Sequence, residues 1–137
     1  MKDKLFVALS TFAQCGEQPL TLLKNSGFEY SVNPLGRRLV REEIVKMGSN
    51  VSGIIAGVEP YDAEVLRKLP KLKCISRAGV GIDNIDLDYA QKNNIVVRNT
   101  PDVVIRPVVE LTIAMIFDLL RKTTFHTILL KSGRWEK

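Results

Sequence analysis

Up to Thr100, short apolar runs alternate with helix-patterned segments, and that alternation leaves few folds open. Lys4-Leu5-Phe6-Val7-Ala8-Leu9-Ser10 reads as a buried strand running into a loop. Phe28 to Val32 alternates with period two, the pattern of a second, more exposed strand, and Gly53 to Gly57 reads as a third. A fourth strand opens at Lys73-Cys74-Ile75-Ser76, and Ile95 to Arg98 supplies a fifth. Between the strands, helices are expected from Pro19 to Lys24, Arg37 to Met47, Asp62 to Leu69 and Asp86 to Lys92. Pro19 suits a first helical turn, Asp62 a cap and Pro70 a stop. Strictly alternating strands and helices imply an α/β fold: a parallel five-stranded sheet with helices on both faces, linked by right-handed crossovers.

The pattern then changes. From Pro107 to Leu120 only Glu110, Thr112 and Asp118 are strongly polar, so this helix is apolar nearly all round. Two carboxylates and a length below the ~18 apolar residues of a membrane span argue against insertion in a bilayer. The expectation is burial against another domain or subunit. Thr123 to Lys131 continues as an amphipathic helix.

The formal charge of +5 raises the question of a polyanionic partner. Arg37, Arg38, Arg41, Arg67, Lys68, Lys71 and Lys73 are interspersed with Glu42, Glu43, Asp62 and Glu64, and no aromatic residues interleave with them. That is a solvated helix surface rather than a nucleic-acid stripe. Cys15 and Cys74 lack metal-ligand spacing and follow no secretory signal, so both read as reduced cytosolic thiols. His126 stands alone between Phe125 and Thr127, which argues against a metal site and for an ordinary surface or interface residue.

The chemistry concentrates after the fourth strand, at Arg77-Ala78-Gly79-Val80-Gly81-Ile82-Asp83-Asn84. Gly79-Val80-Gly81 invites comparison with the dinucleotide fingerprint G-x-G-x-x-G, but its third glycine position holds Asn84 and the unit comes fourth in the sheet rather than first. The same physics serves a smaller anion. Consecutive backbone N–H groups at a glycine turn beyond a parallel strand form a concave anion site, and Arg77 adds positive charge. Spacing alone does not separate this reading from a plain tight β–α connection.

Ile75 to Asp86, followed by Val97-Arg98-Asn99-Thr100-Pro101 and by Val108-Val109-Glu110-Leu111-Thr112, resembles the N-terminal part of the NAD-dependent D-isomer-specific 2-hydroxyacid dehydrogenases, most closely the phosphoglycerate dehydrogenase type. The resemblance covers essentially the whole chain. It implies a flavodoxin-like substrate-binding domain over residues 1–101, with residues 102–137 forming a long apolar crossover helix and its successor at the start of a NAD-binding domain. It also implies that Arg77, Ala78, Gly79, Val80 and Gly81 hold the carboxylate of a small 2-hydroxy or 2-oxo acid, that Gly57, Val58 and Glu59 line the same cleft, and that Val80 lies near the nicotinamide of NAD. The helix over residues 106–122 would build a homodimer in the cytoplasm.

Two departures qualify what the resemblance implies. Where members of the family often carry Asn three residues before Ser, this chain has Val104 and Pro107, so a side-chain hydrogen bond expected there cannot form. The family's catalytic Arg, Glu and His have no counterparts in these residues, and neither does its true G-x-G-x-x-G. No catalytic residue carries over, and the chain is expected to be inactive alone, truncated before the Rossmann domain. His126 and Glu110 are not substitutes, lacking the carboxylate-paired setting that acid–base catalysis requires. The competing reading is a non-enzymatic flavodoxin-like binding or oligomerisation module. A receiver domain is disfavoured, since Ala56-Gly57 and Ser10-Thr11 stand where its acidic residues belong.

Overall fold

Each expected apolar run forms a strand in the computed structural model, which describes residues 3–135. The strands are β1 (Lys4–Val7), β2 (Glu29–Val32), β3 (Gly53–Ala56), β4 (Cys74–Arg77) and β5 (Val96–Asn99). All neighbouring pairs are parallel, in the order β2-β1-β3-β4-β5. That is the flavodoxin-like doubly wound order. The connecting helices are α1 (Gln18–Asn25), α2 (Arg41–Gly48), α3 (Ala63–Arg67) and α4 (Leu87–Lys92). Right-handed crossovers put α1 on one face and α2 to α4 on the other.

Register explains where the core sits. Phe6, Ile54, Ile75 and Val97 are aligned across β1, β3, β4 and β5 and point to one face. There Phe6, Ile54 and Ile75 are buried with Leu39, Ile44, Val65, Leu66, Leu69 and Ala90, and Val97 packs at the margin. The alternate row on β4 and β5, Cys74, Ser76, Val96 and Arg98, is exposed. On β4 this matches the sequence, where the apolar Ile75 stands between Cys74 and Ser76, while on β5 the exposed row includes the apolar Val96.

Asp62 caps α3 as its residue type suggests, its carboxylate accepting the Val65 N–H at 3.0 Å and the Arg41 Nε–H at 2.6 Å. Asp86 does the same for α4, accepting the Tyr89 N–H at 2.8 Å. The scattered cations are largely paired, as in Arg37 with Glu43 and Lys68 with Glu64.

The expected helix from Arg37 begins only at Arg41. Helical spacing of the apolar residues misleads here because Asn33 ties up the preceding turn: its Nδ2 donates to the carbonyls of Ala8 and Arg37, and its Oδ1 accepts the Leu35 N–H, all at 2.9 Å. Leu39 is therefore buried from an extended segment, and Glu43 closes the helix start by accepting the Val40 N–H at 3.0 Å. β1 likewise ends at Val7, three residues before the expected limit, and the chain turns from Ser10.

Contact density divides the chain into two units, Met1–Thr100 and Pro101–Lys137. The second contains α5 (Ile105–Arg121) and α6 (Thr123–Lys131). Lys122 joins them in the left-handed conformation, φ 51°. Asp118 accepts hydrogen bonds from the Thr123 hydroxyl and, at 2.7 Å, from the Thr124 N–H, which holds its carboxyl below the usual range. No residue of α5 is buried, although Val108, Leu111, Met115, Phe117 and Leu119 are among its side chains. Among the described residues no helix is long and apolar enough to cross a membrane.

Candidate functional site

Ligands of open parallel sheets bind beyond the carboxyl ends of the strands. At that edge the chain brings together the loop after β3, the turn after β4 and the end of β5. The β3 loop starts at Gly57, where a Cβ would meet Leu9 Cδ1 at 2.6 Å and Glu59 Oε2 at 3.1 Å, so a larger residue would have to displace those side chains. The Gly57 N–H donates to Glu59 Oε2 at 2.7 Å. Val58 at the loop tip is 52% exposed, whereas Glu59 is 2% exposed. Behind it Tyr61 is fully buried. Its hydroxyl has no hydrogen-bond partner, and burial, reinforced by the charge of Glu59, pushes its pKa above the ordinary tyrosine value.

The β4 turn is fixed at its base and open at its tip. Ala78 N–H donates to the Ala56 carbonyl at 2.8 Å, and Gly79 N–H donates to Thr100 Oγ1 at 2.8 Å. The Thr100 N–H returns a bond to the Gly79 carbonyl at 3.0 Å, and Asn99 Nδ2 holds the Val80 carbonyl at 2.7 Å. Among the described residues, the N–H groups of Val80 and Gly81 have no partner. The amides of Ala78 and Gly79 are engaged in joining β4 to β3 and β5.

Arg77 folds back over this turn and donates to the Ala78 carbonyl, its Nε buried without a partner. It covers Gly79, whose φ of +140° already favours glycine and whose added Cβ would strike the guanidinium, with Cζ 2.6 Å away. Val80 projects apolar surface and is 44% exposed. An Asp83 oxygen lies 3.4 Å from where a Gly81 Cβ would stand. One cation and one anion thus flank the turn, so its side chains bring no net charge to it.

A groove of about 490 Å3 at the opposite, amino end of the strands is lined by Asp3, Lys4, Asn50, Ser52, Pro70, Lys71, Leu72 and Lys73. Its lysines are already engaged, Lys73 with Asp3, Lys71 with Asn50 and Lys4 with Glu29.

The structure brings Gly57, Val58 and the Arg77–Gly81 turn, singled out in the sequence, to one edge of the sheet, whereas the residues that hold them there were not singled out as such. Asn84 registered only as a missing glycine. Its side-chain amide donates to the carbonyls of Gly57 at 3.2 Å and Glu59 at 2.7 Å, and its backbone carbonyl accepts the Tyr61 N–H at 2.7 Å. The available signal was an amide side chain where a bare connection would take any small residue. Glu59 was expected only to line the cleft, whereas its buried carboxylate accepts the Gly57 N–H and shapes the loop.

Residues 7–129 match the pattern described as the D-isomer specific 2-hydroxyacid dehydrogenase, catalytic domain. The chain is 30% identical over its whole length to a glyoxylate reductase of Pyrococcus horikoshii, taking in 40% of that protein. It is 34% identical over 102 residues to human D-3-phosphoglycerate dehydrogenase, 74% of this chain and 19% of the human one. The crystal structure of NAD+-bound 3-phosphoglycerate dehydrogenase from Entamoeba histolytica superimposes on 86% of the chain with a TM-score of 0.73 at 28% identity, over 39% of that structure. The chain thus spans less than half the length of these relatives.

Proposed function

Since the chain belongs to the D-isomer specific 2-hydroxyacid dehydrogenase family, we propose that it is the substrate-binding part of an NAD-dependent oxidoreductase acting on the CH–OH group of a small D-2-hydroxy acid. The observation that carries this reading is the pair of partnerless amides, Val80 and Gly81, at the carboxyl end of a parallel strand, beside the exposed apolar side chains of Val58 and Val80. In the proposal the substrate carboxylate accepts from those two amides, Arg77 adds positive charge, and the Gly57–Val58 loop tip forms the wall of the cleft. Gly79 and Ala78 shape the turn without contributing donors.

NAD, when bound, supplies or accepts the hydride at C2. The turn does not suit its pyrophosphate: α4 begins at Leu87, its first-turn amide at Tyr89 is taken by Asp86, and Asn84 occupies the third glycine position. What fits the cofactor here is apolar contact, with Val80 facing the nicotinamide. Residues 1–101 are assigned to substrate binding and 102–137 to the start of the cofactor half, with turnover a property of the whole protein and not of these residues alone. We assign residues 106–122 to a homodimer interface, since α5 exposes many large apolar side chains.

The test is NADH oxidation by the full-length protein with glyoxylate, hydroxypyruvate, pyruvate and 3-phosphohydroxypyruvate. Turnover of at least one 2-oxo acid is expected. No turnover of any, together with concentration-dependent assembly, would favour the non-enzymatic oligomerisation module.

A further inference from the structure

Asn84 does what a backbone rung does, using a side chain. Tyr61 and Ile85 form an isolated parallel bridge between the two loops, in which Tyr61 N–H donates to the Asn84 carbonyl at 2.7 Å and Asp86 N–H donates to the Tyr61 carbonyl at 3.0 Å. Beyond that bridge the loops diverge and no backbone group of the β4 turn reaches the carbonyls of Gly57 and Glu59. The Asn84 carboxamide spans the gap, donating to both carbonyls from one nitrogen. Only a short side chain with an N–H2 group can do this. Aspartate has the shape but no donor, and it would set a negative charge against two carbonyl oxygens.

The β3 loop is pinned to the β4 turn at its two ends, by the Ala78 N–H to the Ala56 carbonyl and by the Tyr61–Ile85 bridge, and between those ends Asn84 makes the contact. The loop's internal bond, from the Gly57 N–H to the Glu59 carboxylate, fixes its own shape but not its position relative to the β4 turn. On the far side, Asn99 and Thr100 fix Gly79 and Val80 to β5. The three carboxyl-end segments thus form a chain of side-chain clamps: β5 to the β4 turn through Asn99 and Thr100, and the β4 turn to the β3 loop through Asn84.

We infer that Asn84 is a positioning residue, which locks the Gly57–Glu59 loop to the Val80–Gly81 turn so that both meet the substrate as one rigid rim. This rests on the assignment of substrate binding to that rim. Asn84 does not touch substrate in this scheme. It sets the distance between the amides that take the carboxylate and the Val58 side that takes the rest of the molecule, and so acts on KM and on discrimination between 2-oxo acids of different size.

The experiment compares the full-length protein with its Asn84→Asp and Asn84→Ser variants, the serine change keeping a small donor in case the aspartate protein does not fold. KM and kcat are measured for the panel of 2-oxo acids, and hydrogen exchange is followed in peptides covering 57–61 and 78–84. In Asn84→Asp, KM for the preferred acid should rise about tenfold, the loss of about two ordinary hydrogen bonds. KM for NADH and kcat should stay within about threefold, the signature of binding lost equally from the ground and transition states. Exchange should quicken in both peptides together. A lowered Tm with KM unchanged would overturn the inference by making Asn84 merely structural. If the wild-type protein turns over none of the acids, the functional reading falls and exchange decides the coupling alone. Faster exchange in both segments then supports it, and faster exchange confined to 57–61 overturns it.

Discussion

Removing the Tyr61 hydroxyl should stabilise this protein, against the usual effect of a Tyr→Phe change at a buried site. The ring is fully buried in the main core, beneath the loop that carries Val58, and its hydroxyl has no partner. A buried hydroxyl left unpaired costs about 1–3 kcal/mol relative to its hydrated state. Phenylalanine keeps the ring packing and removes that cost, so Tyr61→Phe should gain about 1 kcal/mol or more. For a domain of this size each kcal/mol moves the midpoint by about 4–8 °C. Thermal and urea unfolding by circular dichroism measure both, and an unchanged urea m-value shows that only stability has moved.

The alkaline limb gives a second, independent reading. Tyr61 has its folded-state pKa raised above the ordinary 10.0, by burial first and by the Glu59 charge second. Its neutral form is therefore favoured in the folded state, and the resulting stability is fully present below pH 10.0 and lost as pH rises from there toward the folded-state value. Phenylalanine has no proton to lose. The advantage of the variant should therefore widen by about 1.4 kcal/mol for each pH unit above that point. A Tyr61→Phe protein less stable than wild type by about 1 kcal/mol would refute the reasoning, because it would mean the hydroxyl is hydrogen-bonded.

Two further outcomes bear on the site and the assembly. Gly79→Val in the full-length protein should raise KM for the 2-oxo acid sharply while the fold survives, since a β-branched residue at φ +140° adds strain of about 1–3 kcal/mol and displaces Arg77 from the turn; steady-state kinetics with an unchanged KM would show the turn to be only a connection. Sedimentation at several concentrations should give a dimer that Phe117→Glu converts to monomer, and a wild-type monomer at high concentration would sink the assignment of residues 106–122 as an interface.

The parallel sheet was legible because its signal is repeated. Each β–α unit has its own apolar run, and Asp62, Asp86 and Pro70 mark boundaries by chemistry that acts within a few residues. The false start at Arg37 shows where such local rules fail. Leu39 and Val40 fit a helical spacing, but Asn33 commits the Arg37 carbonyl to a turn through a contact that no periodicity encodes. The site divides in the same way. Glycines at Gly57 and Gly79 announce tight backbone and were found. Asn84, Asn99 and Thr100 act across loops separated by 19 to 27 residues, and such pairings exist only once the sheet order is known.

That difference also decides what the Gly79-Val80-Gly81 turn can bind. A pyrophosphate cradle needs a helix whose first N–H groups point at the ligand and a third glycine that lets the helix pack close to the strand. Here the helix starts well beyond the glycines, Asp86 already satisfies its first turn, and the third glycine position carries a side chain that reaches away from the turn to the neighbouring loop. What remains at the tip is two free amides with the Arg77 and Asp83 charges opposed on either side. In the proposed reading, two free donors match the two oxygens of a single carboxylate and fall short of a diphosphate, and the residue that breaks the dinucleotide pattern is the one that frames the smaller anion.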